Sequence, residues 1–160
     1  GATATFLGQV LDRIVNAQAE GASQSDASYR ARAHSSCVSL DMAHGNHPLY
    51  PERLEADTAP DLNGGVALKR SYRGHYAMSA PLDGMLRARA ADHGIPVQDF
   101  MYREDLGGGT SIGPLVAANL GIETVDAGAG LLGMHSIREI AGAQDVRHCI
   151  DFLSKAFFDA

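Results

Sequence analysis

The sequence predicts an α/β fold, a three-layer sandwich with a mostly parallel central sheet and helices on both of its faces. Short apolar runs alternate along the chain with longer segments of helical periodicity, and this alternation is typical of parallel sheets. A length of 160 residues fits one domain, and 45% hydrophobic with 20% charged residues is a globular composition. Disorder, collagen and coiled coil are therefore excluded.

The first half of the chain contains two predicted helices and two predicted strands. Apolar residues recur at three- and four-residue spacing between Phe6 and Val15, which predicts an amphipathic helix. Ser25 or Asp26 is expected to cap the next helix. The predicted elements are a helix from about Thr3 to Ala17, a polar loop over Gly21–Ser28, a helix through His34, a strand over Cys37–Asp41, an excursion over Pro48–Gly65 and a strand over Val66–Lys69.

The second half continues the alternation. Ser79 is expected to cap a helix reaching about His93, which Gly94 and Pro96 then end. The remaining predicted elements are a strand over Val97–Tyr102, a helix over Ile112–Asn119, a strand over Ile122–Asp126 and a helix over Ser136–Phe158 with a break allowed near Gly142.

Polar residues follow each predicted strand. They are Asp41, Lys69, the segment Arg103–Asp105 and His135. Because sites in such sheets form at the carboxyl ends of strands, these residues are expected to meet at one edge. The alternative is that strand ends simply meet polar loops, and the pattern alone does not decide between the two.

Two glycine-rich segments resemble nucleotide-binding loops. The segment Gly128–Gly133 matches a dinucleotide fingerprint, but too little chain follows for the second strand that would carry the ribose-binding acid. The segment Gly107–Gly113 lacks the Lys of a phosphate-binding loop. It still places backbone N–H groups at a helix start, so it either anchors a substrate carboxylate or carbonyl, or is a structural turn.

The metal-ligand candidates are Asp41, His44, His47 and His135. A carboxylate at a buried strand end needs a partner, and a cation is the natural one for Asp41. His44 and His47 lie three residues apart, but Gly45 and Pro48 interrupt a helix there, so loop hydrogen bonding or a subunit contact is the alternative. His135 is either a core histidine or a ligand.

Charge and cysteine content limit the partners. The net charge is −6 and the basic residues are scattered among acids, which excludes a nucleic-acid partner. No apolar run approaches the about 18 residues that a membrane helix needs. Cys37 and Cys149 are expected to be free thiols in a reducing, cytoplasmic compartment.

Three segments resemble, in order, motifs of one enzyme family. Ser39–Pro48 is similar to a motif that contributes a zinc-binding Asp, Phe100–Pro114 to a substrate-side loop, and Gly133–Glu139 to a second zinc motif with its ligand His. The opening from Gly1 and the terminal Ala156–Phe158 match as well. The family is the aspartyl aminopeptidases, which are zinc exopeptidases, and the chain resembles the C-terminal half of their catalytic domain.

The resemblance implies a two-zinc site and an acidic substrate. The family joins two zinc ions through a bridging Asp, a first His, a Glu–Glu pair, a second Asp and a last His. Asp41 would be the second Asp and His135 the last His, and the substrate would be a peptide with an N-terminal Asp or Glu. The implied substrate-binding residues are Lys69, Tyr76, Gly109, Thr110 and Ser111. A homo-oligomer is also expected, because the complete family member forms a dodecamer.

The chain departs from the family by what it lacks. The resemblance implies that the first His, the bridging Asp and the Glu–Glu pair with the general base would all precede Gly1, and that the inserted lid and dimerisation domain would also lie outside residues 1–160. Residues 1–160 alone are therefore expected to be inactive, with no catalytic residue of their own and two of five metal ligands. The competing interpretation is a catalytically silent assembly module of the same fold.

Overall fold

A computed structural model of the chain describes residues 5–18, 23–103, 105–106 and 108–158. Its helices are α1 (Phe6–Gln18), α2 (Gln24–Ala33), α3 (Ala80–Asp92), α4 (Gly113–Leu120) and α5 (Ala143–Asp151), which continues as a π-helical segment over Phe152–Phe157. Its strands are β1 (Ser36–Leu40), β2 (Ala43–His44), β3 (Val66–Arg70), β4 (Val97–Met101), β5 (Glu123–Gly128), β6 (Gly130–Leu132) and β7 (Ile140–Ala141). The predicted start at Thr3 and the loop residues Gly21 and Ala22 lie outside the described ranges.

The main sheet has the strand order β1-β5-β3-β4. The β1–β5 and β3–β4 pairs are parallel, and β3 and β5 run antiparallel. A mostly parallel sheet is thus confirmed. A second small sheet, in the order β2-β6-β7, extends from the ends of β1 and β5 and was not predicted.

Helices cover both faces of the main sheet. Because successive strand residues point to opposite faces, Val125 and Asp126 of β5 face different layers. Val125 packs with α3 and the π-helical segment, whereas Asp126 lies under Gly113 at the start of α4. The buried residues of the first layer are Val66, Leu68, Leu82, Leu86, Ala90, Ile95, Val125, Ala127, Phe152 and Ala156. This arrangement confirms the three-layer sandwich.

Local sequence accounts for most of the helix boundaries. Ser79 precedes α3 and its hydroxyl accepts a hydrogen bond from the Leu82 N–H at 3.4 Å, as predicted. Gly94 ends the helix with a φ of 64°, which glycine adopts without strain. The predicted cap of α2 is wrong, because the helix begins at Gln24 and Ser23 takes the capping position.

The predicted helix over Ser136–Phe158 is the main error in the fold. The segment before Ala143 forms a turn and strand β7, and β7 pairs with β6. The Ser136 N–H donates to the Gly133 carbonyl at 2.9 Å, so the chain turns here before any helix begins. The fingerprint Gly128–Gly133 consequently lies on strands and a turn, and no helix follows it directly. Within the described ranges no helix is long and apolar enough to cross a membrane.

Candidate metal and substrate site

Lys69 lies near the carboxyl end of β3, and its charged side chain is buried. Its side chain is 2% exposed, and its Nζ donates a hydrogen bond to the Met42 carbonyl at 2.9 Å. Nζ also lies 3.6 Å from Asp41 Oδ2 and 5.3 Å from the centre of the Tyr76 ring. The alternative of a solvated strand end is therefore excluded for Lys69.

Burial weakens the charged form of this ammonium group. Desolvation lowers the pKa of Lys69 below its ordinary value, although the negative charges of Asp41 and Asp126 oppose the shift. A buried ammonium group attracts negative charge strongly, because the local dielectric constant is low. A carboxylate is therefore the kind of group that Lys69 could bind.

Asp41 lies directly after β1, beside Lys69. Its N–H donates to the Ala127 carbonyl at 2.8 Å, and its Oδ1 accepts from the Met42 N–H at 2.9 Å. Its side chain is 63% exposed, so the expectation that the Asp41 carboxylate is buried is wrong, whereas its role as a metal ligand stays a prediction. The carboxylate is instead held in one orientation and open to a ligand from outside.

The backbone at Asp41 requires a glycine on the neighbouring strand. A Cβ at Gly128 would overlap the Asp41 carbonyl oxygen, so no other residue fits there without moving Asp41. This explains one glycine of the apparent dinucleotide fingerprint without a nucleotide.

His135 lies in the turn after β6 and is exposed, which excludes the core-histidine alternative. Its φ is 66°, in the left-handed region that residues other than glycine seldom adopt. Its N–H donates to Glu139 Oε1 at 2.6 Å, and Ser136 bonds back to Gly133, so the turn is held on both sides. The imidazole is presented to solvent from a fixed, strained backbone.

His44 connects these groups. Burial lowers the pKa of His44, and the positive charges of His135 and Lys69 lower it further. His44 also contacts the Tyr102 ring, with centroids 5.7 Å apart, and both line a cleft of about 270 Å³.

His47 also lines this cleft, and its ring Nδ1 accepts the Leu49 N–H at 3.2 Å. Loop hydrogen bonding is therefore confirmed for His47. A subunit contact through His44 or His47 stays a prediction.

Three of the remaining predicted substrate residues, Tyr76, Thr110 and Ser111, lie in or are hydrogen-bonded to the segment from His75 to Ala77. The His75 carbonyl accepts from the Thr110 hydroxyl at 2.9 Å and from the Ser111 N–H at 3.2 Å. Tyr76 packs on Phe100 with ring centroids 5.6 Å apart. Gly109 has open space around it, while Glu104 and Gly107 of the predicted loop lie outside the described residues.

Sequence inspection missed Asp126, which is completely buried on β5. Its Oδ2 accepts a hydrogen bond from the Ala77 N–H at 2.6 Å. The available signal was the single acid within the run of small and apolar residues from Val125 to Gly130, because a buried charge requires hydrogen bonds.

The donor types present suit zinc, which accepts carboxylate oxygen and imidazole nitrogen. Asp41 and His135 offer one of each from exposed, backbone-fixed positions. Among the described residues, however, no three His, Cys, Asp or Glu side chains come together as a metal site. The two residues thus fit part of a zinc site.

Comparison with known proteins identifies the family. Residues 1–158 match the family model described as "Aminopeptidase I zinc metalloprotease (M18)". A probable M18 family aminopeptidase 2 of Pseudomonas aeruginosa is 41% identical over 158 residues, which are 99% of this chain and 35% of that protein.

Solved structures agree with this match. A chain in the cryo-EM structure of the Ape4 and Nbr1 complex has a TM-score of 0.91 and 35% identity, covering 99% of this chain and 29% of that one. The S. cerevisiae mApe1 dodecamer has a TM-score of 0.79 and 30% identity, covering 99% and 34%. This chain spans about a third of the length of such relatives and belongs to the M18 family of aminopeptidase I zinc metalloproteases.

Proposed function

We propose that the chain is the C-terminal part of the catalytic domain of a two-zinc aminopeptidase that removes N-terminal Asp or Glu from peptides. The observation that carries this proposal is the buried Lys69 ammonium, 3.6 Å from the exposed carboxylate of Asp41. Family membership supports metalloaminopeptidase chemistry, and the charge of Lys69 supports the preference for an acidic residue.

Asp41 and His135 hold the metal in this proposal. Bound zinc supplies Lewis acidity, which polarises the scissile carbonyl and lowers the pKa of an attacking water. The other ligands and the general-base Glu come from a segment that precedes residue 1. The complete enzyme, meaning residues 1–160 together with that segment, is therefore the active species, and residues 1–160 alone are inactive.

Lys69 pairs with the side-chain carboxylate of the substrate's first residue. A compact ammonium suits a single carboxylate, and its low-dielectric surroundings strengthen the attraction. In this proposal the approach is lined by Tyr76 from the segment after β3 and by Gly109, Thr110 and Ser111 from the loop before α4. The Thr110 hydroxyl and the Ser111 N–H are already oriented by the His75 carbonyl.

The proposal also covers the oligomeric state and the cellular compartment of the complete enzyme. The similarity to a dodecameric protein supports a homo-oligomer of the complete enzyme. Cys37 and Cys149 are both free and half-buried, which supports a reducing, cytoplasmic location.

Zinc content and peptidase activity of the complete enzyme test the proposal. Asp41→Asn and His135→Gln should each lower bound zinc and reduce kcat/KM on an aspartyl amide by about 100-fold or more. The matched controls are Asp92→Asn and His93→Gln, because both residues are exposed at the end of α3. These controls should retain full zinc content and activity.

The competing function is the catalytically silent assembly module of the same fold, in which Asp41 and His135 hold no metal. A silent module binds no zinc even when joined to its N-terminal segment. Stoichiometric zinc with chelator-sensitive release of N-terminal Asp supports the peptidase. Absence of both in a folded, complete protein rejects it.

A further inference from the structure

Two of the proposed substrate residues, Lys69 and Tyr76, lie on the segment over which β3 leaves β5 and then returns to it. The last pair between β3 and β5 is Leu68 with Ala127, after which β3 separates from β5. The chain returns to β5 at Ala77, where the next residue, Met78, bridges Val125. The segment between these two points carries Lys69 near its start, where β3 still pairs with β4, and Tyr76 at its end. The conformation of this segment therefore depends on two points of contact with β5, at Leu68 and at Ala77.

Asp126 closes the return point with both its backbone and its side chain. The Asp126 N–H donates to the Ala77 carbonyl at 3.0 Å, and the Ala77 N–H donates to Asp126 Oδ2 at 2.6 Å. The side chain of Asp126 is completely buried. A hydrogen bond to a charged acceptor is stronger than a neutral one, and burial strengthens it further. Ala77 is thus fixed against β5 by two bonds to a single residue.

The fixed point at Ala77 is adjacent to two residues of the proposed substrate site. Tyr76 precedes it and lies against both Lys69 and Phe100. His75 comes next, and its carbonyl holds the Thr110 hydroxyl and the Ser111 N–H.

Helix α4 also rests on this carboxylate. A Cβ placed at Gly113 would overlap Asp126 Oδ2 and Oδ1, so only glycine allows this close approach. One buried carboxylate therefore contacts both elements that carry the proposed substrate residues.

We infer that Asp126 is a positioning residue of the substrate site, one that sets the place of Tyr76 and of the Thr110–Ser111 turn through its hydrogen bond to Ala77. The inference rests on the proposed function of these residues in substrate binding. Asp126 touches no substrate itself and acts through the loop. Its loss should therefore raise KM more than it lowers kcat, because zinc chemistry at Asp41 and His135 is left in place.

The first test compares Asp126→Ala with Asp126→Asn in the complete enzyme. The amide oxygen of Asn can still accept the Ala77 N–H, whereas Ala cannot. Asp126→Ala should raise KM for an aspartyl amide by about tenfold, since small displacements of binding groups are costly. Asp126→Asn should stay within about threefold of wild type, and both should keep wild-type zinc content.

A matched control separates positioning from stability. Asp145 is another buried aspartate that accepts backbone N–H groups, those of Asn63 and Gly65, outside the proposed site. Asp145→Ala should lower the melting temperature while leaving KM unchanged. If Asp126→Ala behaves like Asp145→Ala, losing stability with no change in KM, Asp126 is only structural and the inference is overturned. An equal KM rise in a folded Asp126→Asn also overturns it.

A second variant covers the case in which Asp126→Ala does not fold. Gly113→Ala pushes a methyl group against the carboxylate and should raise KM in the same direction. Gly84→Ala is its control, because a Cβ at Gly84 meets nothing within 4 Å. An unchanged KM in Gly113→Ala contradicts the inference.

Hydrogen exchange gives a readout that needs no substrate. The Ala77 amide should be strongly protected in wild type and in Asp126→Asn, and should lose at least about tenfold protection in Asp126→Ala. Retained protection in Asp126→Ala overturns the inference. If the wild-type enzyme releases no N-terminal Asp, the proposed function fails, and the exchange result still decides whether Asp126 fixes the loop.

Discussion

The two ends of strand β3 each depend on a buried aspartate, and the two aspartates are satisfied to different degrees. At the start, Asp145 Oδ2 accepts the Asn63 N–H at 2.7 Å and Oδ1 accepts the Gly65 N–H at 3.0 Å, with His148 Nδ1 3.3 Å from Oδ1. At the other end, Asp126 Oδ2 accepts one N–H, and Oδ1 has no hydrogen-bond partner among the described residues.

The difference separates a structural carboxylate from one near a site. Asp145 holds a turn in which Asn63 and Gly65 both have positive φ, of 64° and 105°, so its bonds offset local strain. Asp126 leaves an acceptor unused beside a buried Lys69. Incomplete satisfaction of buried charge lowers stability, and it is concentrated where proteins bind or react. One end of β3 thus has a fully bonded structural carboxylate, and the other has a less satisfied carboxylate next to the proposed substrate site.

The largest expected effect is the loss of stability at the Asp145 end. Asp145→Ala leaves two backbone N–H groups without their acceptor and should lower the free energy of unfolding by about 3 kcal/mol or more. Asp126→Ala removes one such bond and should cost about 1–2 kcal/mol. Urea unfolding measures both, with Asp92→Ala as the exposed control. Equal losses at the two sites would break the comparison.

A smaller effect of opposite sign is expected for Lys69→Met. The lowered pKa means that the folded protein disfavours the charged ammonium despite Asp41 and Asp126, so its removal at little change in volume should leave the free energy of unfolding unchanged or raise it by about 1 kcal/mol. The preference of the complete enzyme for an aspartyl over an alanyl amide should be lost. Lys155→Met serves as the control, because Lys155 is partly exposed and distant in sequence from the loop. A stability loss similar to that of Asp145→Ala would contradict this expectation.

The smallest effect is the pH dependence of the stability difference between Lys69→Met and wild type. The folded pKa of Lys69 lies below its ordinary value, so between the two the unfolded state binds more protons and stability rises with pH. The stability advantage of Lys69→Met over wild type is therefore complete below the lowered pKa. The stability difference between the two proteins should narrow as the pH rises through the ordinary lysine pKa of about 10.4, because above it the lysine is neutral in both the folded and the unfolded state. Urea unfolding of both proteins at pH 7, 9 and 10 measures this difference in the free energy of unfolding. A difference that widens with pH would show that burial does not lower the pKa of Lys69.

Sequence patterns were sufficient where local signals determine structure. The strands at Val66 and Val97 and the Ser79 cap follow from apolar runs, a proline and a capping hydroxyl. The positions of His135 in a turn and of Asp41 at a strand end were predicted from the sequence, whereas the exposure of Asp41 and the hydrogen bonds that hold both residues were not.

The remaining features depend on contacts between distant segments. Strand β7 forms because Ile140 meets Leu132 across a turn, and no local preference of residues 136–142 announces that pairing. Asp126 was missed because nothing in the sequence near Ala77 indicates that the chain returns there to β5. Pairing between distant segments determines both strand β7 and the contact of Asp126 with Ala77, so local sequence patterns could not predict them.

Gly128 has a consequence for how this site tolerates change. The Asp41 carbonyl occupies the place where a side chain at residue 128 would begin. A substitution at Gly128 therefore acts on Asp41, although residue 128 itself has no functional group. Variation at this chemically silent position is then limited as severely as at Asp41 itself, and a damaging allele there would resemble a loss of the Asp41 carboxylate.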